Sequence, residues 1–337
     1  MGHIDDRRLI RTLVEQAGPV VHMRDVDRAG ITRATVRREL DRGRLVRVAK
    51  ASFVEAEIWD GATGWERFRL RSIGFGQCTA DDVHLNGWSA VLLLGLPTIG
   101  EPPDEVRAIK PGSGRIGPNR TPHGRIRTGH LPPHHRTRRA GIRVVGPSFA
   151  AVDIARHHGP TAGLIVADAA LAIGGQRSSM GLLVEQMVAY PGIATAQWVA
   201  EHADPRTESP LETLGRMAFL SAGRPPPLSN VWIRVGSRRF RVDHLLPDQR
   251  IVLEADGALK YDNRPDAAKV VTEQVERERL LRSAGLTVVR YTAGMAWHDP
   301  RALLYRVDAE VRRVGVGSPF TDWSYEMPTI IGDGLTG

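Results

Sequence analysis

The apolar run Ile251-Val252-Leu253 leads directly into Glu254-Ala255-Asp256-Gly257, and this junction constrains the fold more than any other stretch of the chain. A short block of aliphatic residues bounded by turn residues reads as a buried strand, and side chains two apart on a strand share a face. Glu254 and Asp256 therefore point the same way at the strand's end. Two further strand-like runs precede it, Asn230 to Val235 and Arg239 to Leu245, punctuated by Gly236-Ser237 and by Pro247-Asp248. Together the three runs spell an antiparallel meander. Asp243 stands in an otherwise apolar part of the second run. If residues 242–245 pair with 252–254, Asp243 joins the other two carboxylates, and three anions so close repel unless a divalent cation neutralises them. Hard oxygen donors of this kind suit magnesium or manganese.

The flanking segments extend the pattern. Ser209 is a good N-cap for a helix over Pro210 to Leu220, with Glu212 in its first turn. A charged helix from Ala267 to Ala284, apolar at Val271, Val275 and Leu281, stops at Gly285 and is followed by a strand from Leu286 to Tyr291. Strands, helix and returning strand make a layered α/β module. Taken singly, each carboxylate is explained by a strand-end turn or a surface salt bridge. Their joint placement, with Lys260 close behind, points to a metal site.

The run Arg241-Val242-Asp243, then Glu254-Ala255-Asp256-Gly257 with Lys260-Tyr261, then Arg277-Glu278-Arg279-Leu280-Leu281 and Leu286-Thr287-Val288-Val289-Arg290-Tyr291, resembles the DUF559 or Vsr-like branch of the PD-(D/E)XK restriction-endonuclease-like superfamily. The resemblance covers about Ser209 to Val311. It implies a metal-binding aspartate at Asp243, a second ligand at Glu254 and a supporting helix glutamate at Glu212. Asp256 occupies the position where that motif normally has lysine, so either Lys260 supplies the ammonium from nearby or Asp256 is an additional ligand. The implied chemistry is phosphodiester hydrolysis: a metal on Asp243 and Glu254 polarises a phosphate oxygen and activates water, Lys260 stabilises the charge on phosphorus, and Asp256 or Glu212 orients metal or water.

The other end of the chain has a different rhythm. Leu9, Ile10, Leu13 and Val14 fall at helical spacing between Arg7 and Gln16, Gly18-Pro19 ends that helix, and a second short helix covers Met23 to Ala29. After Gly30-Ile31, Thr32 can cap a third helix running to about Asp41, with Val36 and Leu40 on its inner face and Arg33, Arg37 and Arg38 outside. The stretch from Leu45 to Val54 reads as two strands around a turn, where a wing would follow such a helix, with Arg47 and Lys50 placed to touch phosphates. This helix-turn-helix, with Arg42-Gly43-Arg44-Leu45-Val46-Arg47-Val48 and the strand to Val54, resembles the N-terminal domain of AbiEi-type antitoxins over about fifty residues. It implies a duplex-DNA reader and a toxin or defence-system partner.

Between the two lies a basic stretch. Val106 to Val152 contains ten Lys or Arg and no Asp or Glu, and the interleaved Gly, Pro and Thr of Pro111 to Pro133 predict loops or a twisted hairpin region, so that the arginines lie along an exposed strip that would follow a DNA backbone. His130, His134 and His135 have no acidic or cysteine neighbours and read as surface or phosphate-contacting residues. Phe149 to Glu201 resumes helical periodicity, and Asp153 and Asp168 read as polar-face residues of those helices. The chain as a whole carries 46 Lys and Arg against 38 Asp and Glu, a formal charge of +8 and a pI near 10.2, a balance that favours polyanionic partners. Cys78 is the lone cysteine, which excludes an intrachain disulfide and a cysteine-cluster zinc site. With no signal-like segment at Met1 to Leu13 and no apolar run of membrane-spanning length, the expectation is a cytoplasmic protein with no membrane partner.

The organisation expected is an α/β (α+β) chain: a winged helix-turn-helix over 1–56, a middle basic and helical region over 57–205, a nuclease-like mixed sheet flanked by helices over 206–313, and a tail over 314–337. Two functions are open at this point, a magnesium-dependent DNA endonuclease in defence or repair, and a non-catalytic DNA-binding regulator or antitoxin on a degenerate nuclease fold; an RNA-directed nuclease is a third, which the winged-helix pattern favours less than duplex DNA. Duplex cutting would call for a homodimer, and nicking only for a monomer.

Overall fold

The computed structural model describes residues 2–112, 119–257, 267–315 and 317–327. It divides into two compact units, Met1–Ala203 and Asp204–Gly337, of mixed α/β build. Among the described residues no helix is long and apolar enough to cross a membrane.

The first unit opens with α1 (Gly2–Ala17), β1 (Val21–His22), α2 (Met23–Arg28) and α3 (Arg33–Asp41), then the hairpin β2 (Leu45–Ala49) and β3 (Ser52–Glu55). Local chemistry sets these boundaries. The Thr32 hydroxyl accepts the Thr35 N–H to start α3, and the His22 ring nitrogen accepts the Arg24 N–H to start α2. Ile10, Leu13, Val26, Ile31, Val36, Leu45 and Phe53 bury one another in a single core, so the inner faces of all three helices close on the hairpin. The strand order β1-β3-β2 completes a winged helix-turn-helix.

Two helices follow, α4 (Ala56–Gly61) and α5 (Gly64–Gln77), then β4 (His84–Leu85), α6 (Gly87–Leu93), β5 (Arg107–Pro111), β6 (Asn119–Thr121), β7 (Gly124–Gly129), β8 (Arg136–Arg139) and β9 (Ile142–Val145). Within residues 111–133, β6 and β7 form an antiparallel hairpin of the kind that the Gly, Pro and Thr residues predict, and the basic stretch as a whole supplies five strands of a six-stranded sheet, order β6-β7-β5-β4-β9-β8. Helix α5 lies between this sheet and the wing. On one side Ser52 Oγ donates to Gly74 O and Gln77 Nε2 to Val20 O. On the other, a Cβ on Gly76 would stand 2.5 Å from Ile142 Cγ2, so only glycine allows that approach.

Helices α7 (Pro147–Ala172), α8 (Arg177–Gln186) and α9 (Ile193–His202) complete the unit, with α7 kinked at Gly159 ahead of Pro160. Two sequence expectations change here. Asp153 and Asp168 are buried rather than on a polar face, at 5% and 1% exposure; Asp153 Oδ2 accepts Asn86 Nδ2 at 2.9 Å and the Gly87 N–H at 3.0 Å, donors that make burial of a carboxylate tolerable. His135 is likewise buried, and burial drives its imidazole down to about 4, so it is a neutral packing residue rather than a surface contact.

The second unit runs α10 (Pro210–Ser221), β10 (Leu228–Val235), β11 (Arg238–Leu246), β12 (Ile251–Asp256), α11 (Ala267–Ser283), β13 (Thr287–Thr292), α12 (Ala293–His298), α13 (Pro300–Val314) and β14 (Trp323–Ser324). Its sheet has the order β13-β12-β11-β10-β14. The meander β10-β11-β12 is antiparallel, and β13 returns parallel to β12 after the α11 crossover. Val231, Ile233, Val242, Leu245 and Val252 pack with Leu281 and Leu286. The expected tail over 314–337 is partly structural: Phe320 fills this core and β14 pairs with Trp232 and Ile233. A strand of two residues leaves no periodicity to read. Val275, expected on the inner stripe of α11, is 64% exposed; the helix turns Arg277, Glu278 and Leu281 inward instead.

Candidate functional site

The carboxylates predicted to converge lie where β11 and β12 part. The paired rows run from Leu246 with Ile251 to His244 with Leu253. Beyond them side chains hold the strands together. Asp243 Oδ2 accepts the Ala255 N–H at 2.8 Å, and Arg277 of α11 donates to Arg241 O at 2.6 Å and to Glu254 Oε1 at 2.7 Å. Glu254 therefore lies on the α11 face of the sheet, as alternation from the core residue Val252 requires. Asp256, two further on and half-buried, follows it by the same alternation.

Glu212 reaches the fork from the start of α10. Ser209 caps the helix by accepting the Glu212 N–H and donates its hydroxyl to Glu212 Oε1 at 2.9 Å. The Glu208 N–H and Asn230 Nδ2 donate to Oε2 at 2.9 and 2.6 Å. Asn230 sits in β10 with φ 50°, a left-handed conformation asparagine tolerates better than most residues, and also donates to Arg206 O. Burial pushes the Glu212 carboxyl up, and the charge of Asp243 adds to that, against the hydrogen bonds that favour its ionised form.

Beneath the fork is a buried hydroxyl. Tyr291 of β13 donates to Leu211 O and pairs with His244 Nε2 at 3.0 Å. The first turns of α10 cross it at Gly215, where any side chain would overlap the phenol. Burial first, and then the charges of Asp243, Glu212 and Glu254, hold the Tyr291 hydroxyl well above its usual range. Burial and the charge of Arg216 drive His244 down to about 3.

These donors suit a hard divalent cation in kind, but their placement does not form a metal cage. Glu254 already has a guanidinium, Asp243 an amide N–H and Glu212 three donors, and among the described residues no three His, Cys, Asp or Glu side chains are grouped to hold a metal ion. Lys260 lies outside the described residues. Arg277, Tyr291, His244 and Asn230 are members of the site that spacing does not identify. Arg277 and Tyr291 stand in the stretches that carry the nuclease resemblance, yet nothing local distinguishes Arg277 from the exposed Arg279 and Arg282 of the same helix.

In the first unit α3 carries on its outer side the arginines that the sequence places there. Arg33, Arg37 and Arg38 are exposed along α3 while Val36 is buried. Arg33 reaches Asp27 at 3.4 Å and Arg38 reaches Thr35 Oγ1 at 3.0 Å. The helix is anchored from behind by Glu39, 2% exposed, which takes two hydrogen bonds from Arg44 at 2.5 and 2.6 Å; these bonds hold the Glu39 carboxyl below its ordinary range. Arg47 is engaged at the wing turn, donating to Lys50 O at 2.8 Å with its guanidinium 5.0 Å from the Phe53 ring centre. Lys50 projects from that turn.

No protein-family profile matches the chain. Two curated relatives from Mycobacterium tuberculosis, uncharacterized protein MT2308 and uncharacterized protein Rv2248, are each 27% identical over 176 residues, which is 52% of this chain. The match spans 64% of the length of those relatives. A solved structure, that of the RV2827C protein of Mycobacterium tuberculosis, aligns with a TM-score of 0.36 at 17% identity, over 66% of this chain and 82% of its own.

Proposed function

We propose that the chain is a DNA-binding protein in which the winged helix reads duplex DNA and the C-terminal unit is a nuclease-type domain directed at DNA phosphodiesters. What supports the nuclease half is the geometry of the fork, where Asp243 takes the Ala255 N–H next to Glu254 and Glu212 is held by Asn230 of the neighbouring strand, at the end of a buried strand pair in a mixed sheet flanked by helices, the fold that the DUF559 or Vsr-like resemblance implies. The reader half is supported by three exposed arginines on a helix whose other side is locked to the wing through Glu39 and Arg44. Replacing Arg37 and Arg38 together by Ala is expected to weaken duplex binding and lower its salt slope by about 2, near 0.9 for each phosphate no longer neutralised; unchanged binding removes α3 as the reader.

A second reading, a regulator of antitoxin type that binds DNA without cutting it, is favoured by the Arg277–Glu254 ion pair, which neutralises one expected ligand. Incubating the purified protein with supercoiled and linear DNA in magnesium or manganese, with an EDTA control and an Asp243→Ala comparator, separates the two. Cleavage by the wild type that disappears in the variant and in EDTA establishes the nuclease. Binding without cleavage under either metal establishes the regulator.

A further inference from the structure

The register of the six-stranded sheet sorts the basic stretch onto one face. Residues directly opposite on neighbouring strands lie on the same side of a sheet. Arg120 of β6 is opposite Arg125 of β7, and Arg125 is opposite Arg107 of β5. His84 of β4 is opposite Ile109, two residues along β5 from Arg107. Leu85 pairs with Val144 of β9, which puts Arg143 on the His84 side, and Arg143 is opposite Arg138 of β8. Arg127 and Arg136 join by alternation. Every strand of the sheet therefore contributes a basic or imidazole side chain to this face, and the opposite face, with Leu85, Ile142 and Gly124, packs on α5.

The electrostatics agree with the geometry. Burial and the neighbouring charges of Arg127, Arg120 and Arg107 lower the Arg125 guanidinium, and burial together with Arg136, Arg143 and Arg138 lowers His84. Two carboxylates lie against these arginines: Glu105 within 3.6 Å of Arg120 and 3.9 Å of Arg125, and Asp81 at 2.5 Å from Arg143. Arg120, Arg127, Arg136 and Arg138 remain exposed. Five inter-strand gaps of about 4.8 Å make a row roughly 24 Å wide, long enough to meet several phosphates of a DNA backbone. Guanidinium forks suit phosphate oxygens better than ammonium groups do.

We propose that this arginine face is a second DNA-backbone contact of the first unit, acting beside α3. The inference rests on the proposed duplex-DNA binding and adds a surface to it. Because sheet and wing clamp the same helix, α5, contacts made by the two would be mechanically linked. The face would add affinity and salt dependence without base specificity, since phosphates carry no sequence information.

The test is fluorescence anisotropy of a labelled duplex of about 30 base pairs titrated with the full chain over a series of salt concentrations. The Arg120→Ala, Arg127→Ala, Arg138→Ala triple variant is expected to lower the slope of log K against log salt by about 2 to 3, near 0.9 for each phosphate that regains its counterion. The corresponding Arg→Lys triple variant is expected to restore most of the slope, which a purely structural role would not do. Circular dichroism of both variants should match the wild type. A triple-Ala slope equal to wild type, while Arg37→Ala with Arg38→Ala abolishes binding, overturns the sheet contact and leaves the reader standing. No duplex binding by the wild type overturns both. A variant-dependent slope on an RNA duplex but not on DNA makes the face an RNA contact and overturns the proposal.

Discussion

Two carboxylate–guanidinium pairs, one in each unit, have the same chemistry and different surroundings. Glu39 is almost fully buried and takes two hydrogen bonds from Arg44, with Arg42 at 3.5 Å as a second cation. Glu254 takes one bond from Arg277, is itself 19% exposed at its side chain, and lies where the charges of Asp243 and Glu212 are also felt. The first pair joins a second nearby guanidinium and fastens α3 to the wing. In the second the guanidinium meets Glu254 and bridges to the neighbouring strand end at Arg241 O. An ion pair's role follows from its surroundings: a pair behind a packed helix is a clamp, and a pair at a strand fork ties the strand ends together.

Substitutions at the two pairs should separate these roles. Glu39→Ala should have the largest effect, because it leaves Arg44 without its partner behind a packed helix. A destabilisation of about 2 to 3 kcal/mol is expected, below the full cost for a buried pair since Arg44 is partly exposed. Hydrogen exchange at α3 and β2 amides should report it, with duplex binding falling in parallel. Arg277→Ala should cost less, about 1 to 2 kcal/mol, read as faster exchange in β11 and β12 with α10 less affected. Equal destabilisation in the two variants would mean that Arg277 is an ordinary clamp.

The smallest effect is a pH dependence. The Glu39 carboxyl lies below its ordinary value chiefly through the Arg44 hydrogen bonds. Its contribution is therefore fully present above the unfolded glutamate range and is lost as pH falls through the folded value. Glu39→Gln should remove this component from the acid limb of first-unit unfolding and leave the neutral region flat. An acid limb identical in wild type and variant would show that Glu39 stays protonated or paired alike in both states.

Much of the helix-turn-helix and its hairpin was legible because its determinants are local. Thr32 as a cap, Val36 facing inward and the turn near Lys50 follow from spacing over a few residues, and the structure has them there. The meander from Asn230 to Ala255 was legible for the same reason. Asp153, Asp168 and His135 were misplaced because helical periodicity and polarity report average exposure, whereas a buried polar side chain is decided by distant donors such as the Gly87 N–H. Val275 was misplaced because one helix turn offers several apolar positions, and the sheet selects among them.

By itself the sequence determined the helices of the N-terminal region and the meander of the C-terminal one, much of which side is apolar in each, and that basic groups gather in the middle of the chain. Only tertiary structure decided that Glu254 is met by Arg277, that Glu212 is fed by Asn230, and that arginines scattered from 107 to 143 share one face of a sheet. The physical reason is range. Capping and burial patterns act over one or two turns of chain, but the partner of a charge is fixed by strand register and helix placement, which depend on segments tens of residues apart packing together.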